Sequence, residues 1–305
     1  MKTEPDTNKD TYMIRRTCRG PMKIPTNREN WATFHVNSAG TQIYGKTMGN
    51  GTPLLLIHGL GCDSNYFNEA GRLFAQHYQV VTYDRRAYGR SGDEHTIYLN
   101  REEFGKIGAD DAAAVIDRFG EKFDVFAHSA GGLIALYLLK KYPEKIRRLI
   151  IYEVPVPELY STEDPIFQKI DEINRLKKTS FAKAYLKFRE SLGIKSQNRP
   201  LSDEEAEFVE KNVRVSLEKE YGVIYDIHNP SLPSWEGDVP IIFAAGTEGE
   251  AHMADCMRKL SKQQQGPLYF FRGGHNALLE APDEATELTE KLLRAPFDKI
   301  KEQTN

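Results

Sequence analysis

The stretch Ala127-His128-Ser129-Ala130-Gly131-Gly132 places a serine among small residues, between an apolar run at 123–128 and a helically spaced segment from Gly131 to Lys140. A sharp strand-to-helix turn strains the serine backbone and lifts its Oγ clear of the sheet. The two arms of that turn pass so close that residues two before and two after the serine must be small. The pattern is G-x-S-x-G with Ala127 in place of the first glycine. A serine capping the following helix would suit the same local sequence. Its place between a strand and a helix favours a nucleophile that attacks a carbonyl once a neighbouring base takes its proton.

A tetrahedral intermediate needs two backbone N–H groups aimed at its oxyanion. Ala130 follows the serine at a helix N-terminus, where the helix dipole favours negative charge. The segment His58-Gly59-Leu60-Gly61 closes an earlier apolar run, and its glycines allow a bend toward the elbow. Leu60 N–H is the expected second donor. A phosphate-binding turn is the competing reading, but the P-loop lysine and the G-x-G-x-x-G spacing are missing. The base is expected late in the chain, because this elbow goes with the order serine, acid, histidine. His275 lies in Phe271-Arg272-Gly273-Gly274-His275-Asn276, between the last apolar run and the last helical pattern. His58 and His128 flank the site at strand ends and read as packing or shaping residues.

The acid that orients such a histidine has two candidate places. The loop after the run at 239–245 reads Gly246-Thr247-Glu248-Gly249-Glu250, with glycine where an aspartate is expected. The run at 149–152 ends in Glu153. A carboxylate closing an apolar strand is costly to bury unless paired, and a histidine partner relieves that cost. Glu248 and Glu250 read as solvated charges opening a helix. The burial argument favours Glu153 and leaves those two as alternatives.

These residues need elements to hold them. Short apolar runs at 53–58, 80–83, 123–126, 149–152, 239–243 and 267–271 alternate with helical spacing at 65–76, 101–118, 131–141, 251–263 and 283–294. That alternation predicts a mostly parallel sheet with helices on both faces. Stretches 32–36 and 41–47 around Asn37-Ser38-Ala39-Gly40 predict an antiparallel hairpin at one edge. From about 158 to 236 helical patterns follow one another without a buried strand. Ser202-Asp203-Glu204-Glu205 reads as a capping box there, and Asn229-Pro230 and Pro233 mark the exit. The expected division is an arm at 1–30, a core at 31–157 and 237–305, and a helical cap at 158–236. Gly59, His128 and Trp235 are the candidate pocket residues; Trp235 serves equally well as cap core.

The 305 residues carry 41 Lys+Arg against 44 Asp+Glu, a net charge of -3 that gives no reason to expect nucleic acid. Cys18, Cys62 and Cys256 form neither a metal pattern nor a disulfide framework, which fits a reducing compartment. The polar start MKTEPDTNKD lacks a signal-peptide core, and no run nears the roughly 20 apolar residues of a membrane span. A cytoplasmic protein without membrane partner is the expectation.

Together, His58-Gly59-Leu60-Gly61, the Asp84-to-Ser91 turn (Asp-Arg-Arg-Ala-Tyr-Gly-Arg-Ser), the Ser129 elbow and Gly274-His275 resemble the α/β-hydrolase superfamily over about 31–154 and 237–296. The resemblance implies the α/β-hydrolase fold, with 158–236 at the family's variable cap and Asp84 and Arg85 as a structural turn. Glu153-Val154-Pro155 with the acid-poor Ala244-Ala245-Gly246-Thr247 loop resembles zearalenone lactonases. That likeness implies a triad of Ser129, Glu153 and His275. The expected activity is cofactor-free hydrolysis of a carboxylic ester or lactone through an acyl-enzyme, with a small-molecule substrate and no metal. A cofactor-free haloperoxidase or perhydrolase, or a non-hydrolytic receptor on the same fold, is the alternative.

Overall fold

Four apolar strands meet the hydrophobic requirement on both faces at once. Every residue of Phe123–His128 (β5) and Ile241–Gly246 (β7) is buried, as are the last five of Thr52–Ile57 (β3) and the last four of Ile146–Tyr152 (β6). Strands so uniformly apolar suit the middle of a parallel sheet covered on both sides. The computed structural model describes residues 31–93, 95–194, 203–228, 232–235 and 237–302, and in it these strands sit together. The eight-stranded sheet has the order β1-β2-β4-β3-β5-β6-β7-β8. Ala32–Ser38 (β1) and Thr41–Met48 (β2) form the expected edge hairpin, and β2 is antiparallel to Tyr78–Tyr83 (β4). From β4 across to Leu268–Phe271 (β8) all pairings are parallel.

Helices Arg101–Asp117 (α2) and Ala130–Lys141 (α3) cover one face; Asn68–Phe74 (α1) and Pro282–Arg294 (α10) cover the other. Asn100 starts α2 by accepting from the Glu103 N–H at 2.9 Å. Ala251–Gln264 (α8) lies between β7 and β8, and Ala277–Glu280 (α9) precedes α10. A further helix, Phe297–Glu302 (α11), ends the described chain.

Between β6 and β7 the regular elements of the described residues are all helical: Ile166–Leu176 (α4), Phe181–Ser191 (α5), Asp203–Arg214 (α6), Tyr221–Ile224 (α7) and one 3-10 turn, Pro157–Leu159. A π-helical segment, Val215–Glu220, runs between α6 and α7. Nothing in the periodicity of the sequence announces it. Ile166, Ile173, Tyr185, Leu217 and Tyr221 of this insert belong to the same apolar cluster as Leu133 and Val115 beneath the sheet, so insert and body share one core. The arm at 1–30, the capping serine at 202 and the Asn229-Pro230 exit signal lie outside the described residues.

Candidate active site

Ser129 sits where β5 gives way to α3, with φ 55° and ψ −127°. A non-glycine residue there costs on the order of 1–3 kcal/mol and persists only when its surroundings impose it. They do so here. Its N–H donates to Tyr152 O at 2.8 Å, and its carbonyl accepts from Gly132 N–H at 2.8 Å. A Cβ on Gly131 would lie 2.6 Å from Ile57 O and 2.8 Å from His58 O, so the position two after the serine has no room for a side chain. Ala127, two before it, is fully buried and its methyl is accommodated. The elbow therefore closes without the first glycine of the pattern.

The chain after β3 runs directly against the elbow. A Cβ on Gly59 would fall 2.7 Å from Ser129 Cβ and 3.2 Å from its Oγ. His58 fixes this loop. Its Nε2 accepts from the Arg85 N–H at 3.0 Å, which leaves the ring proton on Nδ1, 2.9 Å from Gly59 O. Burial, reinforced by the Arg85 charge, brings the His58 pKa down to about 3. With both nitrogens engaged and little proton affinity, His58 is a shaping residue and no general base.

His128 is engaged at one nitrogen, and its buried Nδ1 has no hydrogen-bond partner among the described residues. Its Nε2 lies 2.8 Å from His275 O, its ring stacks on Tyr66 at 4.7 Å, and burial holds its pKa well below the ordinary histidine value. It supports the backbone that carries His275.

Glu153 follows β6 in a left-handed conformation, φ 46°, its N–H donating to Ala244 O at 3.0 Å. That kink turns the carboxylate toward the neighbouring loops. Oε1 accepts from Gly246 N–H at 2.8 Å, and Oε2 lies 2.7 Å from His275 Nδ1. Glu153 is wholly buried and His275 is 3% exposed. A buried charge of this kind is tolerated only when paired and hydrogen-bonded, and both oxygens are. The pair fixes the ring orientation through Nδ1.

The two alternative acids lie elsewhere. Glu248 is exposed, its N–H donating to Gly273 O; Glu250 precedes α8 and stands 3.8 Å from Lys169. Gly246 occupies the place where an aspartate was expected, and a Cβ there would lie 2.4 Å from Gly273 O. The loop that carries His275 has taken that space. Trp235 is half-buried and packs on the shared core. Sequence reasoning treated Arg85 as part of a structural turn, yet it reaches both Gly59 O and the cap. Its partner Glu220 lies in the π-helical segment, whose register no helical periodicity could supply. Among the described residues no three His, Cys, Asp or Glu side chains gather as metal ligands, and no helix is long and apolar enough to cross a membrane.

Known proteins share this frame. A family model described as the alpha/beta hydrolase fold matches residues 52–176. The chain is 31% identical over 172 residues to the hydrolase YraK of Bacillus subtilis, covering 56% of this chain and 58% of that protein. It is 32% identical over 111 residues to RutD of Agrobacterium fabrum, named as a carbamate hydrolase, covering 36% of this chain and 41% of RutD. The chain thus spans less than two thirds of either relative. In structure, a hydrolase from Pseudomonas aeruginosa superposes with a TM-score of 0.68 at 16% identity, over 88% of this chain and all of that one. Strand order, elbow and matched family model agree on the architecture: the chain has the α/β-hydrolase fold.

Proposed function

We propose that the chain is a serine hydrolase of carboxylic esters or lactones, with Ser129 as nucleophile, His275 as base and Glu153 as the acid that orients it. The observation that carries this reading is the buried 2.7 Å contact between Glu153 Oε2 and His275 Nδ1, on a loop held at His275 O by His128, the residue before the strained Ser129. A ring held at Nδ1 presents Nε2 as the proton acceptor, and the glutamate stabilises the imidazolium that forms.

The steps follow from those roles. His275 Nε2 takes the hydroxyl proton as Ser129 Oγ bonds to the carbonyl carbon. The negative oxygen is received by the N–H groups of Ala130 and Leu60. Collapse breaks the bond to the leaving alcohol, which takes the proton from His275, and an acyl-serine remains. Water then gives a proton to His275 and attacks the acyl carbon; collapse breaks the acyl–Oγ bond, Ser129 Oγ takes the proton back from His275, and the acid is released. With a lactone, alcohol and acid leave as one hydroxy acid. No step calls for a cofactor. The helices of 158–236 cover the site and select the substrate, with Gly59, His128 and Trp235 as the pocket residues.

A fluorophosphonate probe tests the nucleophile. Peptide mapping should find the label on Ser129, and an unlabelled serine in folded protein would reject the assignment. Turnover of p-nitrophenyl esters, small and macrocyclic lactones, and carbamates then sets the acyl class. Carbamate turnover without ester turnover would overturn the ester reading.

A further inference from the structure

A peptide bond is planar and trans, so its carbonyl and its N–H point in opposite directions. Leu60 N–H belongs to the same peptide unit as Gly59 C=O. Whatever holds Gly59 O therefore aims Leu60 N–H. Two donors hold it: His58 Nδ1 at 2.9 Å and Arg85 Nη2 at 3.1 Å. Arg85 is in turn gripped by the cap. Its Nη1 and Nη2 donate to Glu220 Oε1 and Oε2 at 3.0 and 2.9 Å, a two-pronged pair with both side chains buried. Burial works against the guanidinium charge, but the Glu220 carboxylate outweighs it and holds the Arg85 pKa above its ordinary value.

The next peptide is fixed from the same segment. Gly61 N–H donates to Ser216 Oγ at 2.6 Å, and Ser216 is anchored on Asn212 O at 2.7 Å. Tyr88 OH closes the network, donating to Glu220 Oε2 at 2.7 Å while lying 3.0 Å from Ser216 Oγ. Ser216 and Glu220 both lie in the π-helical segment Val215–Glu220. In regular helix, residues four apart lie on one face; here both face the loop that would receive the oxyanion.

We propose that Arg85, Glu220 and Ser216 are positioning residues that let the docked cap set the orientation of Leu60 N–H, so that the oxyanion hole is complete only with the cap in place. The catalytic half of this inference rests on the hydrolase reading above; the mechanical half does not.

The test uses the full-length protein with Glu220→Gln and Ser216→Ala, the second being a small change that keeps the fold if the first does not. In hydrogen exchange, the amides of Leu60 and Gly61 should exchange at least about tenfold faster in both variants, since each loosens one side of the loop. In kinetics, kcat should fall about 10- to 100-fold with KM nearly unchanged. That is part of the 10²–10³ lost when an oxyanion donor is removed outright. The inhibition constant of a trifluoromethyl ketone, which binds as the oxyanion, should rise in parallel. Unchanged exchange at Leu60 and Gly61 would overturn the clamp. Faster exchange with kcat and ketone affinity unchanged would overturn its link to the oxyanion. A wild-type protein that turns over no ester and binds no ketone would instead reject the hydrolase reading, and exchange would still decide the clamp.

Discussion

At the scale of single residues, Glu153 combines two expensive features, a left-handed backbone without glycine and a carboxylate sealed from water. Each is sustained by the bonds it permits. Replacing Glu153 with glutamine keeps the shape but puts an amide opposite His275 Nδ1, which favours the wrong tautomer. By the reasoning that governs such triads, kcat for an ester should fall on the order of 10³- to 10⁴-fold. Glu248→Gln and Glu250→Gln should stay near wild type in the same assay, and a large loss in either would move the acid. The cost of burying an unpaired carboxylate was legible from Glu153 at the end of an apolar run. What crowds the other position was not. The carbonyls of Gly273 and Gly274 that fill the space over Gly246 come from a loop 27 residues away, and only packing reveals them. Gly246→Ala should therefore cost about 1–3 kcal/mol as an overpacked site, read as a drop in urea midpoint. Full stability would show that the loop yields.

At the scale of elements, the strands and most helices were legible because their periods are intrinsic to the chain. The wholly buried strands β5 and β7 lie inside the sheet with a neighbour on each side, and the β1–β2 hairpin sits at the edge. Observed helix boundaries fall within a few residues of the spacing, as with 283–294 against Pro282–Arg294. The π-helical segment was not legible, since its wider turn departs from the 3.6-residue repeat on which the reading depends. Its burial of Glu220 also runs against the usual reading of a glutamate in a charged helix. Arg101 makes a second joint that the sequence did not disclose. This wholly buried side chain on α2 donates to Glu158 at 2.6 and 2.7 Å, and to Asp226 O at 3.0 Å. It thereby ties the entrance of the cap to its far end. Arg101→Met leaves Glu158 partly solvated, so the expected cost lies below the 3–5 kcal/mol of a fully buried broken pair. Exchange in α4 and α7 should rise while that in β5 and β6 stays slow. A uniform rise across the molecule would mean that cap and body open together.

For the whole molecule, the buried histidines fix how stability responds to acid. Burial, ahead of all other causes, takes His58 down to about 3 and His252 to about 4. Both are neutral when folded, while the unfolded chain protonates near 6.5. Their contribution is complete above pH 6.5 and is lost as pH falls through the window down to those values. Asp63, pushed up to about 8 by burial and by Asp84, works in the opposite direction over the same range. A difference measurement isolates one group. Urea unfolding of His252→Asn and wild type at pH 7, 6 and 5 should show the variant losing less on acidification, by at most about 1.4 kcal/mol per pH unit. Parallel curves would mean that His252 is protonated in the folded state.

The place of Glu153 after β6 bears on how the proposed centre is assembled. Ser129 and Glu153 belong to one β5-α3-β6 crossover, and β5 and β6 are adjacent in the sheet. They come together as soon as that local unit closes, at little cost in chain entropy. His275, 122 residues beyond Glu153, must wait for the cap and the last two strands. An acid after β7 would instead have paired locally with His275 across the β7-α8-β8 unit and left Ser129 as the distant member. In the proposed triad a single distant contact, Glu153 to His275, then remains to be closed.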